Sequence, residues 1–518
     1  MSRKSFFATL SFLMLFLMSG SAFAQTEQTN ADERYHERIR QLWNNERAQY
    51  LVLAKKSGDN LQSLYSIQNG TNNLLKYAAY CQKYSILDDL SSLYLQALDT
   101  LTETDQYLYA YYPGGPRRSV HSLDRKYRMW LDKQGGESIL SSSQYLYLLS
   151  DTVSIIADIK EEKRTPIMKE ALNKFIPLLI EHYNRWIFNT PGPFQVRGWG
   201  CRFNGRDVPT GMNHLEYINK RIDKQLGNGK SPAYCNAVTD TDMWIIAGVA
   251  NILATHKKEK DIVPISQEEY KKLLNYLKAG IKLLESRFSY TELKNFDGQP
   301  VAGAIFQPGV WDEHPDFAFA GYSGKEFPKV SGTDQIKYQG KGVGWDLSHA
   351  RRLVHVFETL MKSKNILDLD FPTKEVMVKM ANQLVYASFN RDFTRPLFSN
   401  FMDGTNGWYR VNYDGRPGSG YGPGDMSISI LTGGYGFWSR YNADIQKLFV
   451  GLMNMLESND PEVRKHVIEH YEMNYWSQYK RLHDIDFRKK ANPHAQSVLI
   501  EFLPSLCFIN SKLMNRPD

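Results

Sequence analysis

Apolar side chains recur at three- and four-residue spacing through most of this chain, and that spacing is the period of a helix with one buried face. The stretch 145–156 is one example, and 346–361 is another. Ser266 followed by Glu269 forms a capping box, which predicts that a further helix begins there. Helices are predicted after Ser266 and over 32–56, 84–103, 145–156, 167–188, 242–255, 346–361, 373–386, 426–438, 442–457 and 495–512.

The predicted helices follow one another in pairs, and long loops rich in Gly, Pro and aromatic residues separate several of these pairs. No run of alternating strands indicates a sheet domain. The pattern favours an all-α fold, an (α/α) toroid in which an incomplete helical barrel carries long functional loops. A solenoid of helical hairpins is the competing fold, but it predicts short, regular loops. The long loops span 106–140, 189–234, 288–344 and 394–425, and loops of such length are often functional.

The start of the chain has the pattern of a secretory signal peptide. Two basic residues precede an apolar run from Phe6 to Met18, and Ala22-Phe23-Ala24 is a typical cleavage site. The run is shorter than the roughly 20 residues of a membrane-spanning helix, although an uncleaved anchor is the alternative. We therefore expect a signal peptide over 1–24 and a single catalytic toroid domain over 25–518. The mature protein is expected to be periplasmic or secreted and to have no membrane span.

Charge and composition restrict the classes of partner. The formal net charge is +7, and the Lys and Arg residues are dispersed along the chain. Dispersed basic residues argue against nucleic acid, whereas a mild positive charge suits an anionic ligand. Aromatic residues make up 13% of the chain, which fits sugar stacking, although most of them must form the core. The four cysteines lack C-x-x-C spacing, so no zinc site is expected, and a Cys201–Cys235 disulfide is left open.

Three short motifs occur in order in the long loops and in the helix that follows them. Thr210-Gly211-Met212-Asn213 comes first, His314 with Tyr322 eight residues later comes second, and Arg351-Arg352 comes third. A Gly-Trp-Tyr segment around Trp408 lies further along the chain. In this order the motifs resemble the toroid module of polysaccharide lyases that act on chondroitin, hyaluronan and xanthan. They are also similar to the single-domain alginate and glucuronan lyases.

The resemblance implies a set of site residues around a uronic acid of the substrate, namely Asn213, His314, Tyr322 and Arg351 or Arg352. Alginate and glucuronan lyases use an adjacent Asn-His pair, which Asn213-His214 also matches, so the identity of the catalytic His stays open. Further candidates for substrate binding lie beside these motifs, and they are Arg197, Trp199, His214, Trp311, Trp345, Asp346 and Trp408. The implied activity is cleavage of a uronic-acid-containing anionic polysaccharide by β-elimination, which leaves 4,5-unsaturated products.

These residue types suit the chemistry of elimination. The proton on C5 of a uronic acid is barely acidic while the carboxylate is charged, so Asn213 and an Arg would stabilise the enolate-like intermediate. A neutral His, or a Tyr whose pKa a nearby cation has lowered, can take the proton. Tyr322 could protonate the leaving O4. Such a site needs no metal and no other cofactor.

Two other classes of function remain open from the sequence. A glycoside hydrolase on the same fold would need two carboxylates about 5–10 Å apart. Its candidate carboxylates are Asp242, Asp312, Glu313, Asp346 and Asp425. A non-catalytic glycan-binding protein or a uronate epimerase forms the third class. Asn213 has a purely structural alternative as well, because Asn is a good helix N-cap.

Overall fold

The computed structural model describes most of the chain, namely residues 34–110, 120–189, 202–203, 206–207, 212–224, 235–312, 317–323, 338, 340–411, 421–472 and 494–510. The expected signal peptide lies outside the described residues. So do several of the candidate residues named above, namely Arg197, Trp199, Cys201, Glu313 and His314. Cys235 is described and is disulfide-bonded.

Helices dominate the described residues, and the sheets are small. The first half contains α1 (34–55), α2 (Gln62–Tyr80), α3 (Tyr84–Leu98), α4 (Ile139–Ala157), α5 (Pro166–Phe188), α6 (His214–Ile222), α7 (Asp240–Lys258) and α8 (Gln267–Glu285). The second half contains α9 (Leu347–Leu367), α10 (Lys374–Asn382), α11 (Ile428–Thr432), α12 (Ala443–Glu457), α13 (Pro461–Val467) and α14 (His494–Asn510). The prediction of a mainly helical chain is confirmed. None of the described helices has both the length and the apolar character that crossing a membrane requires.

Strands occur where the sequence pattern predicted only loops. They are β1 (Thr102–Ala110), β2 (Val120–Met129), β3 (Gly136–Ser138), β4 (Arg202–Phe203), β5 (Arg206–Asp207), β6 (Phe288–Lys294) and β7 (Pro300–Phe306). β1 pairs antiparallel with β2 and parallel with β3, while β4–β5 and β6–β7 are antiparallel pairs. The long hairpins interrupt the helical array without forming a sheet domain.

Contacts between helices run in a closed cycle. α2 packs against α4, α4 against α7, and α7 against α9. α9 contacts α11, α11 contacts α14, and α14 packs back against α2. The intervening helices α3, α5 and α8 pack against members of this cycle, and one continuous apolar core joins the two sets. The cycle therefore brings together helices that are far apart in sequence.

Local sequence explains where several helices begin and end. Ser266 caps α8 as predicted, because its hydroxyl accepts a hydrogen bond from the Glu269 amide at 3.1 Å. The Glu269 carboxylate instead accepts from the Asn184 side chain, so half of the predicted capping box forms. The helix predicted over 426–438 is broken after Thr432. Gly434 has φ +74°, a conformation in which a helix cannot continue and which favours glycine.

Gly248 of α7 lies directly against the buried hydroxyl of Tyr183 in α5. A Cβ at this position would overlap the ring and its oxygen, so one of the two helices must shift. Overpacking costs about 1–3 kcal/mol and Ala gains at most ~1 kcal/mol in helix propensity, so we expect Gly248→Ala to lower the free energy of unfolding by up to about 2 kcal/mol. Urea denaturation followed by circular dichroism measures the change.

Tyr183→Phe provides the control for this substitution. Removing the hydroxyl from the Gly248→Ala variant relieves part of the overlap, so the double variant should regain part of the lost stability. An unchanged unfolding midpoint for Gly248→Ala would contradict the close packing of α7 against α5.

Candidate active site

Two adjacent arginines lie where three helices of the cycle meet. Arg351 and Arg352 belong to the first turns of α9, and they remain only 8% and 4% exposed. Arg351 Nη2 donates a hydrogen bond to Asn69 Oδ1 of α2. Arg352 Nη2 donates to the Tyr65 hydroxyl at 3.1 Å and forms an ion pair with Asp240 at 3.4 Å. The arginine pair therefore joins α9 to α2 and to the start of α7.

Tyr65 is half-buried and faces both guanidinium groups. Burial tends to raise the pKa of its phenol, but the charges of Arg352 and Arg351 and a hydrogen bond with Asn69 outweigh burial. The pKa of Tyr65 is consequently lowered from its ordinary value. A phenol in this position can give or take a proton more readily than a tyrosine in water.

Asn69 is held from two sides, because its Oδ1 also accepts a hydrogen bond from Gln144 Nε2 of α4 at 3.0 Å. The same Gln144 nitrogen lies 2.7 Å from Gln68 Oε1. These contacts place three polar side chains from α2 and α4 beside Arg351. They orient the Asn69 amide group toward Tyr65, to which it is hydrogen-bonded.

Glu501 of α14 and His355 of α9 complete the polar interior. Burial raises the pKa of Glu501 to about 8, and the charge of Arg351 only partly offsets this effect. Burial, together with the charges of Arg351 and Lys76, holds the pKa of His355 well below its ordinary value. Glu501 is thus mostly protonated and His355 neutral near pH 7, so the arginine charges are not fully compensated by their surroundings.

Many buried polar atoms in this interior have no hydrogen-bond partner within the described part of the chain. They are Gln68 Nε2, Asn73 Oδ1, Gln144 Oε1, Arg351 Nε, Arg352 Nε, His355 Nδ1 and Glu501 Oε2. A buried polar atom without a partner costs about 1–3 kcal/mol, so native proteins rarely collect several of them without a reason. The concentration of such atoms around the arginine pair fits a site for a polar, anionic ligand.

A second polar group lies one turn earlier on α9. Asp346 is fully buried and caps the helix, accepting hydrogen bonds from the Ser348 and His349 amides at 3.1 Å each. Asp346 Oδ2 also lies 2.7 Å from His349 Nδ1, and the Tyr409 hydroxyl is 3.1 Å from that nitrogen. Burial would raise the pKa of Asp346, but His349 and Ser348 lower it to about 2. Asp346, expected to bind substrate, has no exposed surface and contacts His349 instead.

Asn213 is the N-cap of α6 in this structure. Its Oδ1 accepts from the Glu216 amide at 2.9 Å, while its own amide donates to Glu216 Oε2 at 3.1 Å. This is a complete capping box, which is the structural alternative for this residue. No hydrogen bond among the described residues joins Asn213 to the arginine pair.

His214, a candidate for substrate binding, has a fully buried side chain in the structure. Its Nε2 lies 2.7 Å from Asp242 Oδ1, and its Nδ1 lies 2.7 Å from the Tyr276 hydroxyl. Asp242 is in turn bridged by both Nη atoms of Arg221, at 2.6 and 2.7 Å. Both ring nitrogens of His214 are occupied inside the protein, so no face of this side chain can meet a polysaccharide.

Tyr322 and two of the candidate tryptophans also lie inside the protein. Tyr322 packs in a small apolar cluster with Phe319 and Trp408, separate from the main core. Trp345 and Trp408 are 2% and 1% exposed, so neither ring can stack on a sugar in this conformation. Trp311 is half-buried and lies parallel to Phe317, with ring centroids 5.0 Å apart. Of the candidate tryptophans that the structure describes, Trp311 alone offers part of its surface to a ligand.

The described carboxylates proposed for a hydrolase are bound to protein donors. Asp242 is held by Arg221, and Asp346 is held by the cap of α9. Asp425 is buried and accepts from the Gly422 amide at 2.8 Å, while Asp312 accepts from the Gly342 amide at 3.0 Å. Within the described residues, no three His, Cys, Asp or Glu side chains come together as a metal site would require.

The chain matches no family model, no curated protein and no solved structure. The structure brings Arg351 and Arg352 together with Tyr65, Asn69 and Asp240. The sequence motifs indicated the two arginines for the lyase site but not these three partners. A signal for them was present in the sequence, because Gln68-Asn69 and Asn72-Asn73 form an unusually polar run between apolar residues. Such a run inside a buried helix indicates a polar interior.

Proposed function

We propose that the protein is a lyase that cleaves a uronic-acid-containing anionic polysaccharide by β-elimination. The observation that carries this proposal is Tyr65, a half-buried phenol of lowered pKa between two buried arginines. The closed cycle of helix contacts supports an (α/α) toroid as the scaffold, with the substrate entering the polar interior. The expected signal peptide further suggests action in the periplasm or outside the cell.

The arginine pair and its neighbours Asn69 and Tyr65 each have a task in the proposed elimination. Arg351 and Arg352 would pair with the uronate carboxylate and stabilise the negative charge that develops when C5 loses its proton. Asn69, held by Gln144, would keep the Tyr65 hydroxyl in place. Tyr65 would transfer a proton at C5 or O4, for which its lowered pKa suits it. Every step proposed here uses a side chain of this protein and no cofactor.

A substrate screen tests the proposal directly. The protein is incubated with hyaluronan, chondroitin, alginate, glucuronan, xanthan or heparin, and the ultraviolet absorbance of the 4,5-unsaturated product is followed. We expect at least one of these polymers to give the absorbance. Arg351→Gln should lower kcat/KM on that polymer by about 10- to 100-fold, because a charge-assisted hydrogen bond contributes about 1.5–3 kcal/mol.

Arg38→Gln is the matched control for this experiment, since Arg38 forms a surface ion pair with Glu457 at 2.8 Å. It should leave kcat/KM unchanged. The proposal fails if no acidic polysaccharide yields an unsaturated product, or if Arg351→Gln is as active as Arg38→Gln.

A glycoside hydrolase is the second candidate, and Glu501 is the observation that favours it. Its pKa of about 8 keeps a carboxylic acid available as a proton donor beside Arg351, and Asp240 lies on the other arginine. A hydrolase would release reducing ends without the unsaturated absorbance. Glu501→Gln would then abolish cleavage, whereas Tyr65→Phe would leave it largely intact.

A further inference from the structure

Three properties of His349 bear on the chemistry of the site. Its side chain is 20% exposed, its ring is oriented by a buried carboxylate, and it stands on the same helix as the arginine pair. The proposed lyase needs two proton transfers, one from C5 and one to O4, and Tyr65 is a single phenol. We propose that His349, held by Asp346, is the base that removes the C5 proton, which leaves Tyr65 to protonate O4. This inference rests on the proposed lyase function.

The hydrogen bonds of His349 define which nitrogen can act. Both bonds are made at Nδ1, to Asp346 Oδ2 at 2.7 Å and with the Tyr409 hydroxyl at 3.1 Å. The Asp346 carboxylate is ionised and accepts, so Nδ1 is the donating nitrogen, and in the neutral form of the ring Nε2 holds the lone pair that can take a proton. Nε2 makes no hydrogen bond within the described part of the chain. An orienting carboxylate on one nitrogen and an available second nitrogen are what a histidine base requires.

The Asp346–His349 side-chain contact is additional to the capping of α9. Asp346 already satisfies the start of α9 through the Ser348 and His349 amides. The contact fixes the ring in one orientation at the edge of the polar interior.

The position of His349 relative to Tyr65 follows from the helix. His349 and Arg352 are three residues apart, so their Cβ atoms lie about 5–6 Å from each other on one face of α9. Arg352 Nη1 donates to the Ser348 carbonyl at 2.6 Å, which folds the guanidinium back toward the turn that carries His349. The other end of that guanidinium contacts Tyr65. A uronate carboxylate on Arg352 would thus lie near Tyr65 and near the turn of α9 that carries His349.

Trp311 supplies a surface for the sugar ring next to this base. Its ring centroid lies 6.4 Å from that of His349, and the side chain is half-buried. Trp311 is backed by Phe317 at an interplanar angle of 4°, which holds the indole in place. Sugar rings bind to aromatic faces of this kind through their C–H groups.

The proposed reaction balances in protons and electrons. His349 Nε2 takes the C5 proton, and the electron pair of that bond forms the C4–C5 double bond as the C4–O4 bond breaks. O4 receives the Tyr65 proton, and the part of the polysaccharide that keeps O4 leaves with a hydroxyl group there. The imidazolium then returns its proton through solvent while Tyr65 regains one, so the enzyme ends in its starting state.

Hydrogen exchange in D2O separates the base from the acid. On the polymer that the wild type cleaves, Tyr65→Phe should incorporate deuterium at C5 without cleavage, because the base still works and the acid is missing. His349→Asn keeps an N–H donor for Asp346 but has no basic nitrogen. It should lose both exchange and cleavage, with kcat reduced by at least ~10²-fold. Mass spectrometry and the unsaturated absorbance provide the two readouts.

His466→Gln serves as the control, because the hydrogen bond that its imidazole makes among the described residues is to the Pro396 carbonyl at 2.9 Å, far from the arginine pair in sequence. It should cleave and exchange like the wild type. Near-normal cleavage by His349→Asn, or no exchange by Tyr65→Phe, overturns the assignment of His349 while the lyase function stands. If the wild type itself neither exchanges C5 nor forms unsaturated product, the lyase function fails and the assignment fails with it.

Discussion

Replacing Tyr65 with Phe is expected to lower kcat for polysaccharide elimination by about 10²–10⁴-fold, the usual contribution of a positioned acid or base. The substitution removes one oxygen and leaves the ring that fills its place in α2. Arg352 keeps its ion pair with Asp240 at 3.4 Å, so the carboxylate-binding charge remains in position. KM should consequently change much less than kcat. Initial rates of unsaturated product, measured over a range of polymer concentrations, provide both constants.

Tyr290→Phe is the matched control for Tyr65→Phe. Tyr290 is 56% exposed on β6, and its ring lies under Lys379, so its hydroxyl takes no part in the polar interior. Its loss should leave kcat unchanged. Equal rates for the two variants would rule out Tyr65 as a proton-transfer group and would remove the main support for the lyase.

The helices that pack outside the cycle were the easiest to predict from sequence. α5 and α8 bury one face and expose the other, so their apolar residues keep a clear helical period. The predicted start of α9 at Asp346 is likewise correct, because an Asp before an apolar period is a strong N-cap signal. The β1–β2 and β6–β7 hairpins were missed, since neither sequence shows the alternation of a half-buried strand over its whole length.

The helix that carries Tyr65 and Asn69 was also missed. α2 faces the polar interior on one side and the core on the other, so its sequence places Gln68, Asn69, Asn72 and Asn73 among its buried residues or beside them. An apolar period cannot detect such a helix, because the period assumes that the buried face is apolar. The arginine pair was identified from a motif, but its partners come from α2 and α7, which only the fold brings together.

The motif residues that lie far from the arginine pair show the limit of short motifs. Asn213 and His214 do lie side by side, as in an Asn-His motif, but the first caps a helix and the second is enclosed by Asp242 and Tyr276. Sequence alone could not tell whether Asn213 caps a helix or binds a ligand, because an N-cap and a ligand-binding amide use the same atoms. Burial decides between them.

The buried group around Asp242 leads to the largest expected effect on stability. Asp242 and Arg221 are almost completely excluded from solvent, with side chains 1% and 0% exposed, and two hydrogen bonds join them. Arg221→Met leaves the carboxylate buried without its cation, so we expect the free energy of unfolding to fall by about 3–5 kcal/mol at neutral pH. Urea unfolding of the two proteins measures the difference.

Two further variants show whether the uncompensated charge is the cause. Arg221→Met combined with Asp242→Leu removes both charges, and it should recover part of the loss. Lys258→Met breaks a surface ion pair with Asp158 at 2.7 Å and should cost less than about 1 kcal/mol. If Arg221→Met lowered the free energy of unfolding as little as Lys258→Met does, the buried Arg221–Asp242 pair would not be important for stability.

The pH dependence of this loss has a definite sign. Burial would raise the pKa of Asp242, but Arg221 and His214 hold it below its ordinary range in the wild type. Its stabilising effect is therefore complete above the ordinary Asp pKa of about 3.9 and is lost as the pH falls below it. Without Arg221, burial dominates and raises the pKa of Asp242 in the folded state. Protonating Asp242, or charging His214 beside it, then reduces the cost of the unpaired buried carboxylate. The stability gap between wild type and Arg221→Met should thus be smaller at about pH 5 than at neutral pH.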